Sequence, residues 1–145
     1  MSARVHHSAI VVRDVDASLR FWRDGIGLTV IMDQAFDGDW RTLFRASTDQ
    51  LRSIFLGDPG HADAGIVELV QFADGARPRD REAGSPREGF LLLSIYVDIE
   101  PVLRRLETLG LGGPPRRITV PGPAGPVAMA TVVDPDGVLV ELIGA

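Results

Sequence analysis

Three side chains in this 145-residue chain carry the chemistry of a site for a hard divalent ion: His7, Glu68 and Glu141. An imidazole with two carboxylates is a serviceable oxygen-rich donor set. Glu68 lies in Ile66-Val67-Glu68-Leu69-Val70, and Glu141 in Leu139-Val140-Glu141-Leu142-Ile143. Successive side chains of a strand point to opposite sides, so Glu68 shares its side with Ile66 and Val70, and Glu141 with Leu139 and Ile143. Neither carboxylate sits on a plainly solvated face. A carboxylate taken out of water needs a cation, a proton or hydrogen-bond donors, and one shared metal would serve both. An arginine partner or a wet groove is the commoner fate of a lone mid-strand glutamate. Two of them at matching places in a repeat, with a strand histidine ahead, favour a site. His7 alone says little, His6 is expected on the opposite side of its strand facing solvent, and His61 is expected at the surface of a turn beside Asp63.

The repeat is explicit. His7 to Leu92, Ile10 to Ile95 and Val12 to Val97 are each separated by 85 positions, and Gly27 to Gly110 by 83. Glu68 and Glu141 are separated by 73, so the first copy is about a dozen residues longer between its helix and its last strand. The segment 37–47 is the natural place for that insertion. The copies disagree where it matters most. The position that matches His7 holds Leu92, which cannot donate to a metal.

The elements that must position these groups follow from periodicity. Residues 5–12 are β-rich and mostly apolar, which predicts a strand. Asp14 or Asp16 offers a helix N-cap, and Val15, Leu19, Trp22 and Ile26 recur at helical spacing until Gly25 and Gly27 end the helix. Strands are predicted at 28–32, 51–56 and 66–72, with one or two helical turns at 40–46 and a turn at Asp58-Pro59-Gly60. A polar stretch, 74–88, joins the copies. The order then repeats: a strand at 90–97, a helix entered through Pro101 with Val102, Leu103 and Leu106 on its apolar face, and strands at 117–120, 127–133 and 138–143. Asp134-Pro135-Asp136-Gly137 predicts a tight hairpin turn.

Composition narrows the class. The chain is 45% hydrophobic and 24% charged, ordinary for one compact domain of this length. A net charge of −5 with no basic tract argues against nucleic acid as a partner. No apolar run approaches a membrane span, and Met1-Ser2-Ala3-Arg4-Val5-His6-His7 carries no apolar core of the kind expected in a signal peptide. With no cysteine, thiolate metal sites, disulfides and cysteine nucleophiles are excluded. A cytoplasmic location is the expectation.

The pieces His7-x-x-Ile10-x-Val12-x-Asp14, Ser18-Leu19-x-Phe21-Trp22-x-x-x-Ile26-Gly27-Leu28, Ile66-Val67-Glu68-Leu69 and Asp134-Pro135-Asp136-Gly137-Val138-Leu139-Val140-Glu141-Leu142 resemble the vicinal oxygen chelate superfamily. It is also called the glyoxalase/bleomycin-resistance/dioxygenase superfamily. The resemblance spans nearly the whole chain. It implies an α+β fold in which two tandem βαβββ modules, about 4–73 and 89–145, form a curved mixed sheet around a cleft within a single domain. It also maps the family's ligand positions onto His7, Glu68, Leu92 and Glu141.

Two functions follow from the resemblance. The first is a metal-assisted isomerase, epimerase or glyoxalase-like lyase. It would act through an enediolate-like intermediate on a small substrate with adjacent oxygens. His7, Glu68 and Glu141 would hold one divalent ion (nickel, zinc, manganese, cobalt, iron or magnesium), and Glu141 or Glu68 would serve as general base. The second is a metal-free protein that binds a small antibiotic or aromatic metabolite. Leu92 leaves metal occupancy open. It argues against glyoxalase I itself and ranks iron-dependent extradiol dioxygenase chemistry behind both readings. Trp40, Phe55, Phe72, Leu92 and Met129 are the expected substrate pocket, and Phe90 is a further candidate for a binder's pocket. Arg77, Arg79, Arg81 and Arg87 lie in a linker that either is solvated or closes over an anionic substrate. Exposed strand edges predict a homodimer.

Overall fold

The computed structural model of the chain describes residues 1–78, 86 and 88–144. The elements run β1 (His7–Val11), α1 (Val15–Leu19), a π-helical stretch (Arg20–Ile26), β2 (Thr29–Asp37), α2 (Trp40–Phe44), β3 (Gln50–Gly57), a 3-10 turn (Pro59–His61) and β4 (Ile66–Phe72). The second module adds β5 (Leu92–Val97), α3 (Ile99–Leu109), β6 (Gly112–Gly122), β7 (Gly125–Val133) and β8 (Leu139–Gly144). Each module is a βαβββ unit, as the repeat predicts. The strands form two four-stranded mixed sheets, ordered β1-β4-β3-β2 and β5-β8-β7-β6. In each, the first strand runs parallel to the last and the other pairs are antiparallel.

Alternate residues of each core strand face the helices. Ile10, Ile54, Leu56, Val67 and Leu69 of one sheet, and Ala130, Val132, Val140 and Leu142 of the other, turn to the helices and join one buried cluster that spans both modules. The opposite, open face of each sheet is only partly covered: it carries the candidate site residues, and on the first sheet it also buries Leu51, Ser53, Ile66 and Val70.

Helix α1 starts where the sequence places it. The Asp14 side chain accepts from the Ala17 N–H at 3.1 Å, and Gly27, at φ 99°, provides the left-handed C-cap. The π-helical stretch is the departure from expectation. Phe21 and Trp22, both fully buried, meet edge to face there with centroids 5.0 Å apart. Over a single turn, α and π geometry leave much the same residues facing inward, so apolar spacing did not reveal it.

The modules are joined through their helices. A Cβ added at Gly25 would lie 2.4 Å from a Leu106 methyl, so the bare glycine lets α3 lie directly on the first helix. Arg105 Nε donates to the Gly25 carbonyl at 3.0 Å, satisfying a group that the helix end leaves without an intrahelical partner. The Asp134–Gly137 turn adds a second link, because Asp136 accepts from the Arg13 N–H at 3.1 Å and from the Ser18 hydroxyl at 3.2 Å.

Several boundaries differ from expectation. β1 and β5 begin at His7 and Leu92, two residues later than predicted. β2 extends to Asp37 because it pairs with β3 as far as Gln50. β6 begins at Gly112 although Pro114 and Pro115 lie within it. It is an edge strand, and its register shifts between Gly112 and Arg116, the setting in which a sheet tolerates proline.

Candidate metal half-sites on the open sheet faces

His7 and Glu68 reach the open face of the first sheet from neighbouring strands. His7 pairs with Ile66 and Ala9 with Glu68 in the parallel register. His7 Nε2 stands 3.9 Å from Glu68 Oε2, and the Glu68 side chain is only 14% exposed. Across the sheet, Phe55 is the cross-strand neighbour of Glu68, and its ring stacks on His7 with centroids 5.6 Å apart. The carboxylate is thus largely withdrawn from water, with an imidazole as its ion-pair partner.

The second sheet repeats this register. Leu92 pairs with Leu139 and Ser94 with Glu141, as His7 pairs with Ile66 and Ala9 with Glu68. Leu92 therefore occupies the structural place of His7. The open-face row that holds Glu141 runs Ser94, Glu141, Thr131 and Arg116, where the first sheet has Ala9, Glu68, Phe55 and Met32. Ser94 Oγ donates to Glu141 Oε1 at 2.8 Å. The two glutamates are equivalent by register but have different partners, an imidazole for Glu68 and a hydroxyl for Glu141.

The expectation that His7, Glu68 and Glu141 converge on one point is not met within the single chain. Among the described residues no group of three or more His, Cys, Asp or Glu is placed to hold a metal ion. The reason lies in the assembly of the fold. Each sheet is hydrogen-bonded within its own module, and the modules meet through helices, so each sheet carries its own carboxylate. The His7–Glu68 pair does fit two corners of an ion site. Its separation is too long for a hydrogen bond. Two donors about 2.1 Å from one ion stand about 3.0 to 3.4 Å apart, so a contraction of roughly 0.5 to 0.9 Å would bring the pair to ligand spacing.

The expected pocket residues divide in the same way. Phe55 stands beside His7, while Leu92 and Met129 lie on the open face of the second sheet. Trp40 and Phe72 meet at the far end of the first sheet through Phe44, which stacks on Trp40 at 5.5 Å and meets Phe72 edge to face at 6.4 Å. The inserted segment thus carries an aromatic cluster, with Phe44 53% exposed. Phe90 lies before β5 and is exposed. The Arg79, Arg81 and Arg87 expectation falls outside the described residues. His61 is exposed as expected, but its ring bonds Asp58 at 2.9 Å, while Asp63 pairs with Arg4.

His6 differs from expectation. It remains exposed, but its ring turns to the His7 side, with Nδ1 2.8 Å from His7 Nδ1 and its centroid 6.0 Å from that of Phe55. It lies one residue ahead of β1, where strand alternation does not yet bind the chain. Ser94 was also missed, although the 85-residue offset from Ala9 places it beside Glu141.

Residues 4–142 match the model of the Glyoxalase/Bleomycin resistance protein/Dioxygenase superfamily. The chain belongs to this superfamily. Among its relatives, the lactoylglutathione lyase-like protein terB of Aspergillus terreus is 37% identical over 145 residues, covering 96% of this chain and 74% of the relative. A solved glyoxalase family protein from Bacillus cereus superposes with a TM-score of 0.74 at 20% identity, covering 99% of this chain and 95% of that one. The trypanothione-dependent glyoxalase I of Leishmania major gives 0.63 at 23% identity, covering 99% and 87%. These structures establish that the superfamily fold is shared.

Leu92→His is the natural test of whether the position that matches His7 in the second module can serve an ion. The new imidazole would stand to Glu141 as His7 stands to Glu68. Affinity for nickel, zinc or manganese, measured by titration calorimetry, is expected to rise about tenfold or more, since imidazole is a good ligand for borderline ions. Unchanged affinity would mean that this strand does not aim position 92 at the ion.

Proposed function

We propose that the protein is a metal-assisted isomerase, epimerase or lyase acting on a small substrate with adjacent oxygens. The observation that carries this reading is the pair of register-equivalent, half-buried glutamates on the open sheet faces, one of them beside an imidazole. Buried carboxylates without a cationic partner are costly, and a divalent ion would relieve that cost. We further propose that the ion site is completed between two copies, His7 and Glu68 from one and Glu141 from the other. Four large apolar side chains on the open faces, Val11, Tyr96, Ile118 and Val133, are between 43% and 77% exposed, and a second copy would cover such a surface.

A bound divalent ion supplies Lewis-acid polarisation of a substrate oxygen. The chain supplies the rest. His7 and Glu68 orient the substrate's paired oxygens. Phe55 excludes water from one side of that pair. Glu141 would hold the ion through one carboxylate oxygen and move the proton at the neighbouring carbon with the other, and the Ser94 hydroxyl on Oε1 fixes the orientation of the carboxylate. The absence of a histidine at position 92 separates this site from a four-ligand one, so the lactoylglutathione lyase activity for which the relative is named is not the preferred reading here. A metal-free ligand-binding role is the second reading, favoured by the exposed aromatic cluster of α2.

Metal analysis of protein purified without chelator decides between the two. About one divalent ion per chain, lost in His7→Gln, supports the enzyme. Metal-free protein that also takes up no nickel, zinc or manganese supports the binder. Sedimentation velocity across a dilution series is expected to show twice the mass of one chain at micromolar concentration. A single-chain species at tens of micromolar would contradict the shared site.

A further inference from the structure

We infer that His6 is a positioning residue for His7. In this arrangement His6 Nδ1 accepts the His7 Nδ1–H, so that the His7 Nε2 lone pair faces Glu68. The two Nδ1 atoms are 2.8 Å apart, and one proton must lie between them. That proton belongs to one ring or the other, and the choice sets the His7 tautomer. If His6 donated, His7 would carry its proton on Nε2, facing the Glu68 carboxylate. An Nε2–H that close to a carboxylate would be drawn into a hydrogen bond of about 2.8 Å. The observed separation is 3.9 Å. With His7 as donor, a lone pair and a carboxylate oxygen face one another across that gap, the arrangement two ligands hold before a cation enters.

The surroundings hold this pair in place. The rings of His6 and His7 meet edge to face at 5.1 Å, and both lie against Phe55, at 6.0 and 5.6 Å. The His6 carbonyl accepts from the Ile66 N–H at 3.2 Å, which anchors the backbone ahead of β1. Metal-bound histidines depend on a partner at the second ring nitrogen for tautomer and orientation, and losing that partner costs about 10- to 100-fold in affinity. Here the partner is the preceding residue of the chain, which no strand-alternation rule would place on the same side.

The inference rests on the proposal that His7 is a ligand, and two variants separate it from that proposal. His6→Phe keeps a ring against Phe55 and removes the acceptor. His6→Asn keeps an acceptor, since the amide Oδ1 can take the place of the imidazole Nδ1. The chain has only three histidines, so nitrogen-15 NMR of histidine-labelled, metal-free protein resolves each ring. It would be recorded at pH about 8.5, well above the ordinary imidazole value of about 6.5, with His61→Gln to assign the third. The expected result is an Nδ1–H His7 in the unsubstituted protein and in His6→Asn, and a shift toward Nε2–H in His6→Phe. Nickel affinity by calorimetry should fall at least about tenfold in His6→Phe and stay within about threefold in His6→Asn. An Nε2–H His7 in the unsubstituted protein, or unchanged His7 shifts in His6→Phe, overturns the inference whether or not metal binds. Absence of nickel binding with the expected tautomer shift would overturn the metal reading and leave the role of His6 standing.

Discussion

Replacing Glu68 or Glu141 with glutamine is expected to weaken divalent-ion binding by at least about 100-fold, because loss of a direct ligand should exceed the about 10- to 100-fold cost of losing a ligand's supporting partner. Either substitution keeps the side-chain volume and should leave the fold intact. The more telling result is expected from the two variants together. A dimer of one Glu68→Gln chain with one Glu141→Gln chain places both defects in one shared site and leaves the other site intact. Co-expression with distinct tags, followed by purification of the mixed dimer, should recover one tight site per two chains. If each chain built its own site, both sites of the mixed dimer would be defective and nothing would be recovered. Titration calorimetry reads the stoichiometry directly.

Asp134→Ala is expected to cost about 3 kcal/mol of stability, since leaving a buried donor without its acceptor costs about 1–3 kcal/mol and this carboxylate accepts three. Asp134 is only 4% exposed. Its Oδ1 accepts from the Asp136 and Val138 N–H groups at 2.9 and 2.8 Å, and its Oδ2 from the buried Trp22 indole at 3.3 Å. The substitution would therefore loosen both the hairpin turn and its grip on the first module. Urea unfolding followed by fluorescence measures the effect, and a cost below about 0.5 kcal/mol would show that the turn holds without the carboxylate. The same group sets a pH dependence. Burial raises the Asp134 pKa above the ordinary carboxylate value, outweighing the backbone and indole hydrogen bonds that lower it. Between the ordinary value and the raised one, the folded chain binds more protons than the unfolded chain, so this group's contribution to stability falls as pH rises through that window. Asp134→Asn should flatten that part of the profile. It should also lose stability, because its amide would present N–H groups to the Trp22 donor or to the two backbone donors.

Much of the architecture was legible because two signals agreed. The 85-residue offset fixed the tandem modules, and the Val-Glu-Leu triplets fixed which strands close them. The register of Glu68 with Ala9 and of Glu141 with Ser94 follows from that repeat. What was not legible depended on geometry without a short-range signature. Leu19, Trp22 and Ile26 recur at helical spacing, yet the backbone from Arg20 to Ile26 is π-helical. His6 stood one residue outside β1, so alternation assigned its ring to the wrong side. The separation of Glu141 from the His7–Glu68 pair depends on how α3 lies on the first helix through Gly25, a contact between modules that no local pattern encodes. The Trp40–Phe44 segment was recognisable as helical and inserted, but not its closure with Phe72 at the end of the first sheet.

The central claim is a divalent ion held by His7 and Glu68 of one chain and Glu141 of a second. Crystals soaked in nickel and measured at the nickel absorption edge test it most directly. The expected anomalous peak lies about 2.0–2.2 Å from His7 Nε2 and from a carboxylate oxygen of each glutamate, with the two glutamates contributed by different chains. No peak beside His7, or a peak coordinated only by His61 or by the exposed N-terminus, would contradict the account.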